Sequence, residues 1–172
     1  MTLRDTYYYS EGRRIELTPV EEIVALDIEV AHKERVGGKE LKRLMKDGRQ
    51  LRGSLYLIGR NKLTADMLHQ IDEAGAQQPV FQHGDTVIVV LPEVRAETLP
   101  GKQELLFEIL QDTETVPVEV VEASGRNLVL RPKSGRGIDA LHLANQLYEN
   151  AHMVMAHPRF IRLVPSVMSS VN

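Results

Sequence analysis

The chain has no cysteine, which excludes disulfides, thiolate nucleophiles and Cys-based zinc sites. Tryptophan is absent as well, and only three Phe and five Tyr are present. A core must therefore be built mainly from aliphatic side chains. No apolar run approaches the length needed to span a bilayer. The N-terminus, Met1 to Tyr9, lacks the basic region and apolar stretch of a secretory signal. An excess of one charge is missing too: 21 Lys and Arg against 24 Asp and Glu leave a net charge of −3. That balance gives no electrostatic footprint for nucleic acid. What remains is ordinary globular composition, 42% hydrophobic and 26% charged, which argues against wholesale disorder. These bounds point to a protein with no membrane partner, cytoplasmic or exported without a recognisable N-terminal signal peptide. Its 172 residues suit one medium domain or two small ones.

Three apolar runs read as strands: Glu22–Ile28, the β-branched Asp85–Leu91 closed by Pro92, and the alternating Thr115–Glu122. Ser124-Gly125-Arg126-Asn127 supplies a turn from the third run into Leu128–Leu130, which predicts a hairpin. Apolar spacings of three and four predict helices at 39–46, 63–74, 103–110 and 138–149. Thr64 is placed to cap the second and Gly75 to stop it. Tyr7–Tyr9 and Arg14–Leu17 flank Ser10-Glu11-Gly12 as a small opening hairpin. The order is α+β, with helices on one face of antiparallel sheets.

The halves resemble each other in order. Glu21–Leu26 answers Gly84–Val89, Gly38-Lys39 answers Gly101-Lys102, and Leu55–Ile58 answers Leu128–Leu130. Helix 64–74 answers helix 138–149, and Gln78-Pro79-Val80-Phe81 answers His157-Pro158-Arg159-Phe160. The stretch from Gly-Lys to the later strand is shorter in the first copy. That copy reads as degenerate, one strand short, with the opening hairpin filling the gap. A duplication is thereby expected. Residues 1–82 would form the first repeat with its hairpin and 83–165 the second, of β-α-β-β-α-β ferredoxin-like type. Residues 166–172 would be an extended tail.

At the second Pro-x-Phe a family pattern emerges. Ala144-Asn145-Gln146-Leu147-Tyr148-Glu149-Asn150 followed by Val154-Met155-Ala156-His157-Pro158-Arg159-Phe160 resembles the end of a subtilisin-family N-terminal prodomain. There a helix with "ANxLYES"-like residues leads into a strand close to "V-x-x-A-x-P-[DN]-F". Tyr7–Thr18 resembles the "YYYxGGxKIxL" opening of tandem prodomains in some bacterial subtilases, and Pro79-Val80-Phe81 matches the end of their first copy. The similarity spans roughly residues 7–165. Arg159 departs from the small polar or acidic residue usual at its position.

The resemblance implies a tandem ferredoxin-like prodomain, its motif marked by Ala144, Leu147, Tyr148, Ala156, His157, Pro158 and Phe160. It implies a non-catalytic intramolecular chaperone and inhibitor whose partner is a subtilisin-like protease catalytic domain, in the same precursor or a separate chain. The tail, continuing from Leu163 and Val164 through Pro165, Ser166, Val167, Met168, Ser169, Ser170, Val171 and Asn172, would lie in the substrate cleft. Strand addition makes this physically reasonable, with backbone hydrogen bonds for affinity and alternate side chains for specificity.

Other constellations read as structural. Ser134-Gly135 lies in a turn before a helix and reads as a helix-start neighbourhood, not a nucleophile elbow, so no catalytic residue is expected. His142, His152, His157 and Asp139 lack the His-x-x-x-His spacing of a helical metal site. Gly135-Arg136-Gly137 lacks the further glycine and the Lys-Ser/Thr of a phosphate loop. No metal and no cofactor are expected. Lys39, Lys42, Arg43, Lys46, Arg49 and Arg52 read as a basic stretch on the solvated face of an amphipathic helix. Two other functions stay open: a stand-alone interaction or regulatory subunit with the same fold, and a small nucleic-acid-binding ferredoxin-like protein. For the last, Tyr56 is the one aromatic available on a central strand, and no nucleic-acid partner is expected.

Overall fold

The computed structural model describes residues 6–112, 117–150 and 153–164. It is a mixed α+β chain of antiparallel sheets with helices, compatible with two ferredoxin-like units in tandem. Contacts divide the chain into two compact units, one of Thr18–Val89 with Ile161–Asn172, the other of Met1–Leu17 with Val90–Phe160. The opening hairpin thus belongs with the later unit, and does not complete the 1–82 half to which the sequence assigned it. The expected boundary after residue 82 also falls inside a hairpin: His83 pairs with Thr86 and Val80 with Val89. Cutting there would separate paired strands.

The hairpin consists of β1 (Tyr7–Ser10) and β2 (Arg13–Glu16). Glu11 and Gly12 turn between them with φ of 50° and 76°, the double left-handed geometry of a tight two-residue hairpin loop. The first unit then runs β3 (Thr18–Pro19), β4 (Ile23–Asp27), α1 (Ile28–Lys33), α2 (Gly38–Asp47), β5 (Arg49–Arg52), β6 (Leu55–Gly59), a 3-10 turn at Arg60–Lys62, α3 (Ala65–Glu73), β7 (Gln77–Gln78) and β8 (Val80–His83). Its four-stranded sheet has the order β5-β6-β4-β7. Counted from β4, this is 2-3-1-4, and the chain order is strand, helix, strand, strand, helix, strand.

The first copy is therefore not a strand short. The missing strand is β5, which forms antiparallel pairs Arg49 to Leu57 and Gln50 to Tyr56. Arg-Gln-Leu-Arg has no β-branched residue and sits at an edge, so neither propensity nor burial marks it. The predicted strand 22–28 ends one residue early, because the Asp27 carboxylate caps a helix. Its Oδ1 accepts from Glu29 N at 3.0 Å and Val30 N at 3.3 Å, and from Ser54 Oγ at 2.9 Å. Ile28 and Ala31 then face inward on α1. At α3 the expected cap holds, with Thr64 Oγ1 accepting from Met67 N. The core of this unit gathers Val24, Leu26, Leu41, Leu44, Ile58 and Ile71.

The long strand β9 (Thr86–Thr98) enters the second unit. It does not stop at Pro92 as expected. Pro92 lacks an N–H, and it falls between the segment paired with β8, ending at Val89, and the segment paired with β11, beginning at Val94. After β9 come α4 (Gln103–Gln111), β10 (Val118–Ser124), β11 (Asn127–Pro132), α5 (Gly137–Asn150) and β12 (Met153–Leu163). Of the predicted hairpin strand 115–122, Thr115 and Val116 lie outside the described residues. Strand β10 pairs with β11, β11 with β9, and β9 with β12. From β9 this is again 2-3-1-4. Val94, Leu106, Leu128, Leu130, Leu143 and Leu147 form the core. Each such side chain contributes about 2 kcal/mol when fully buried.

Candidate functional site

The helix-to-strand segment α5 to β12 carries the residues singled out by the sequence. Ala144, Leu147 and Ala156 are sealed in the second unit's core, at 0%, 0% and 2% exposure. Pro158 is buried and His157 half-buried, with His157 Nδ1 3.1 Å from the Pro158 carbonyl oxygen. Three of the seven expected motif residues are thus placed by packing in the second unit's core.

The other two reach across the unit to the opening hairpin. Tyr148 stacks on Tyr9 with ring centroids 4.4 Å apart and planes 21° from parallel. Phe160 meets Tyr8 edge-on at 4.8 Å. Such aromatic pairs add about 0.5–1.5 kcal/mol beyond burial. One residue along from Tyr148, Glu149 Oε1 accepts two phenol hydrogens, from Tyr7 at 2.7 Å and Tyr9 at 2.8 Å. The buried Asn145 donates through Nδ2 to the Tyr7 carbonyl at 2.7 Å. Over the Tyr7 ring lies Arg14, its guanidinium carbon 3.7 Å from the centroid. The sequence pattern alone does not reveal this cluster. The only available signal is the alternation of Tyr7 and Tyr9, which points both rings to one face of β1.

The cluster has an electrostatic signature. Donation to the Glu149 carboxylate stabilises the neutral phenol, so Tyr7 is pushed up to about 12, with burial adding to the effect. Tyr9 is raised for the same first reason. Beside it, Tyr7, Asn145 and Glu149 line a shallow hollow of about 330 Å³.

The sheet face turned away from the helices forms a second surface. Register places Glu97 opposite Asn127, Arg95 opposite Val129, Arg131 opposite Glu119 and Val129 opposite Glu122. These residues share the face opposite the core residues Val94, Ala96, Leu128 and Leu130. Glu93 joins them, 3.6 Å from Arg131 and 3.4 Å from Arg159. Arg126 pairs with Glu97 at 3.2 Å. Arg159 therefore has a local partner in Glu93. Ion pairs this exposed contribute about 0–1 kcal/mol each; they pattern the surface more than they stabilise it.

The other residues singled out by the sequence have local roles. Ser134 Oγ donates to Asp139 Oδ2 at 2.6 Å and accepts from Arg136 N, a local turn at the start of α5. Of the basic stretch, Lys39, Lys42, Arg43 and Lys46 are exposed on α2, whereas Arg49 and Arg52 stand on strand β5 and not on the helix. Tyr56, half-buried, packs against the first unit's core. His152 and the tail residues Pro165 to Asn172 lie outside the described residues. Among the described residues, no helix is long and apolar enough to cross a membrane. Compared with known proteins, the chain matches no family model, no curated protein and no solved structure.

Proposed function

We propose that the chain is a non-catalytic prodomain that assists folding of a subtilisin-like serine protease and inhibits it, with residues 165–172 entering the substrate cleft. One observation carries this reading. The opening Tyr-Tyr-Tyr, the Asn145 to Glu149 helix segment and the Pro158-Arg159-Phe160 strand are the segments on which the family resemblance rests. The opening tyrosines lie more than a hundred positions before the other two segments, yet Tyr8 meets Phe160, Tyr9 meets Tyr148 and Tyr7 meets Glu149. The repeated strand order in both units agrees with a tandem prodomain.

In this reading the charged sheet face of β9, β10, β11 and β12 docks on the protease, and the chain leaving β12 continues into the cleft as an added strand. Docking would supply stability to units that are each small enough to be marginal alone. The test is inhibition of peptide hydrolysis by a purified subtilisin-type protease. The full chain is expected to inhibit at micromolar concentration, and a chain ending at Val164 to fold alike but inhibit at least tenfold less. Absence of both complex and inhibition for the full chain would remove the proposal.

A further inference from the structure

The two sheets end in equivalent edge strands, β5 in the first unit and β10 in the second, and these edges carry opposite charge. Exposed strand edges are templates for pairing with another chain, and natural proteins commonly protect them. Strand β5 is four residues long and carries Arg49 and Arg52. Strand β10 is seven residues long, exposed from Glu119 through Ser124, and carries Glu119 and Glu122. It also shows Val120 and Val121 to solvent at 41% and 45% exposure.

Both edges have an irregularity at the same place, between Gln50 and Arg52 and between Val120 and Glu122. The extra residue puts each like-charged pair, three positions apart, on one face of its strand. Arg49 and Arg52 stand opposite Leu57 and Leu55, on the face away from Val24, Leu26 and Ile58 of the helix-side core. Glu119 and Glu122 stand opposite Arg131 and Val129, likewise on the face away from the helix-side core.

We propose that the β10 edge of one molecule adds to the β5 edge of a second copy of this chain. Antiparallel addition, the sense of every ladder whose register is resolved in each unit, sets Glu119 against Arg52 and Glu122 against Arg49. Because both pairs lie on faces away from the helices, the joined sheet carries its helices on one side. That brings α2, which packs on β5 and β6, to the seam on the same side as α4. Their charges also oppose: Lys39, Lys42, Arg43 and Lys46 on α2, Glu104 and Glu108 on α4. Pairing of β10 with itself in the register that sets Glu119 against Glu122 is disfavoured, since like charges directly opposite destabilise a strand pair. The same holds for β5 with its arginines. The contact is head-to-tail, and such contacts propagate unless rotation closes a ring. Association therefore rises with concentration and falls with salt.

Sedimentation velocity of the full chain, over a concentration series at low and high salt, reads this out. Wild type is expected to form species larger than a monomer at low salt. Reversing one edge, by E119R/E122R or by R49E/R52E, should weaken association by about tenfold. Each variant then has two edges of the same sign. Mixed together they should associate again, and so should the chain carrying all four reversals. Circular dichroism and an unchanged melting temperature confirm that the variants fold. A wild type that is monomeric at every concentration and salt overturns the proposal. So does association indifferent to both reversals, a closed two-fold dimer that persists in E119R/E122R, or a mixture no more associated than its parts. If wild type is monomeric and E119R/E122R weakens only protease inhibition, the β10 edge belongs to the protease instead.

Discussion

The two units run the same strand order from sequences that share little beyond pattern, and they differ most at their edges and helix starts. In the first unit the crossover from β4 to β5 is made by two helices, α1 and α2, and α1 is capped by the Asp27 carboxylate. In the second, α4 begins at Gln103, and Lys102 before it makes no side-chain cap. The first unit turns from α2 into β5 at Gly48, where the backbone is so close that an added Cβ would lie 2.9 Å from the Leu44 carbonyl oxygen and 3.1 Å from that of Leu57. The second unit is braced by the opening hairpin. One motif is thus held by tight local connections, the other by a segment from the far end of the chain. Topology is common to both, while the means of holding it is not.

Core truncation is the harshest way to probe this comparison. Leu147→Ala in the second unit and Leu41→Ala in the first each remove a side chain with no solvent exposure. Both are expected to lose about 2–5 kcal/mol in chemical denaturation. If only one of them shifts the transition, the units do not melt together. Gly48→Ala comes next, with a loss of about 1–3 kcal/mol expected from forced backbone displacement. Its effect should appear as reduced hydrogen-exchange protection in β5 and β6, with β10 and β11 spared. No loss would mean that the α2 to β5 connection is looser than its geometry implies.

Asp27→Ala should cost about 1 kcal/mol through loss of the cap, with Asp27→Asn restoring most of it; thermal melts decide. The mildest expectation concerns pH. Tyr7 has a folded value of about 12 against an ordinary 10.0. Because the folded value is the higher one, the stabilisation is complete below pH 10 and is lost as pH rises toward 12. Tyr9, raised in the same direction, adds to it. Tyr7→Phe is therefore expected to flatten the decline of melting temperature between these values. A variant whose alkaline decline matches wild type would show that the hairpin does not brace the second unit through Glu149.

Legibility followed locality. Helix α3 was readable because Thr64, the apolar spacing of Leu68 and Ile71, and Gly75 with its φ of 66° all act within one segment. The β10–β11 hairpin was readable from its Gly125 turn. Strand β5 was not, because an edge strand can be polar on both faces and still satisfy its backbone through β6. Helix α1 was hidden by Ile28, which extends an apolar run but starts a helix once Asp27 caps it. The tyrosine cluster was hidden most deeply, since Tyr7 and Glu149 are 142 positions apart and no periodicity links them.

By itself the sequence determined an aliphatic, cysteine-free α+β chain and most helices and central strands, because apolar periodicity and turn residues act over a few neighbouring positions. Only the tertiary structure decided that the first copy is complete, that the hairpin closes on the second unit, and that equivalent edges bear opposite charge. Those outcomes depend on which backbone groups find partners and which side chains share a face across strands, and long-range pairing alone settles both.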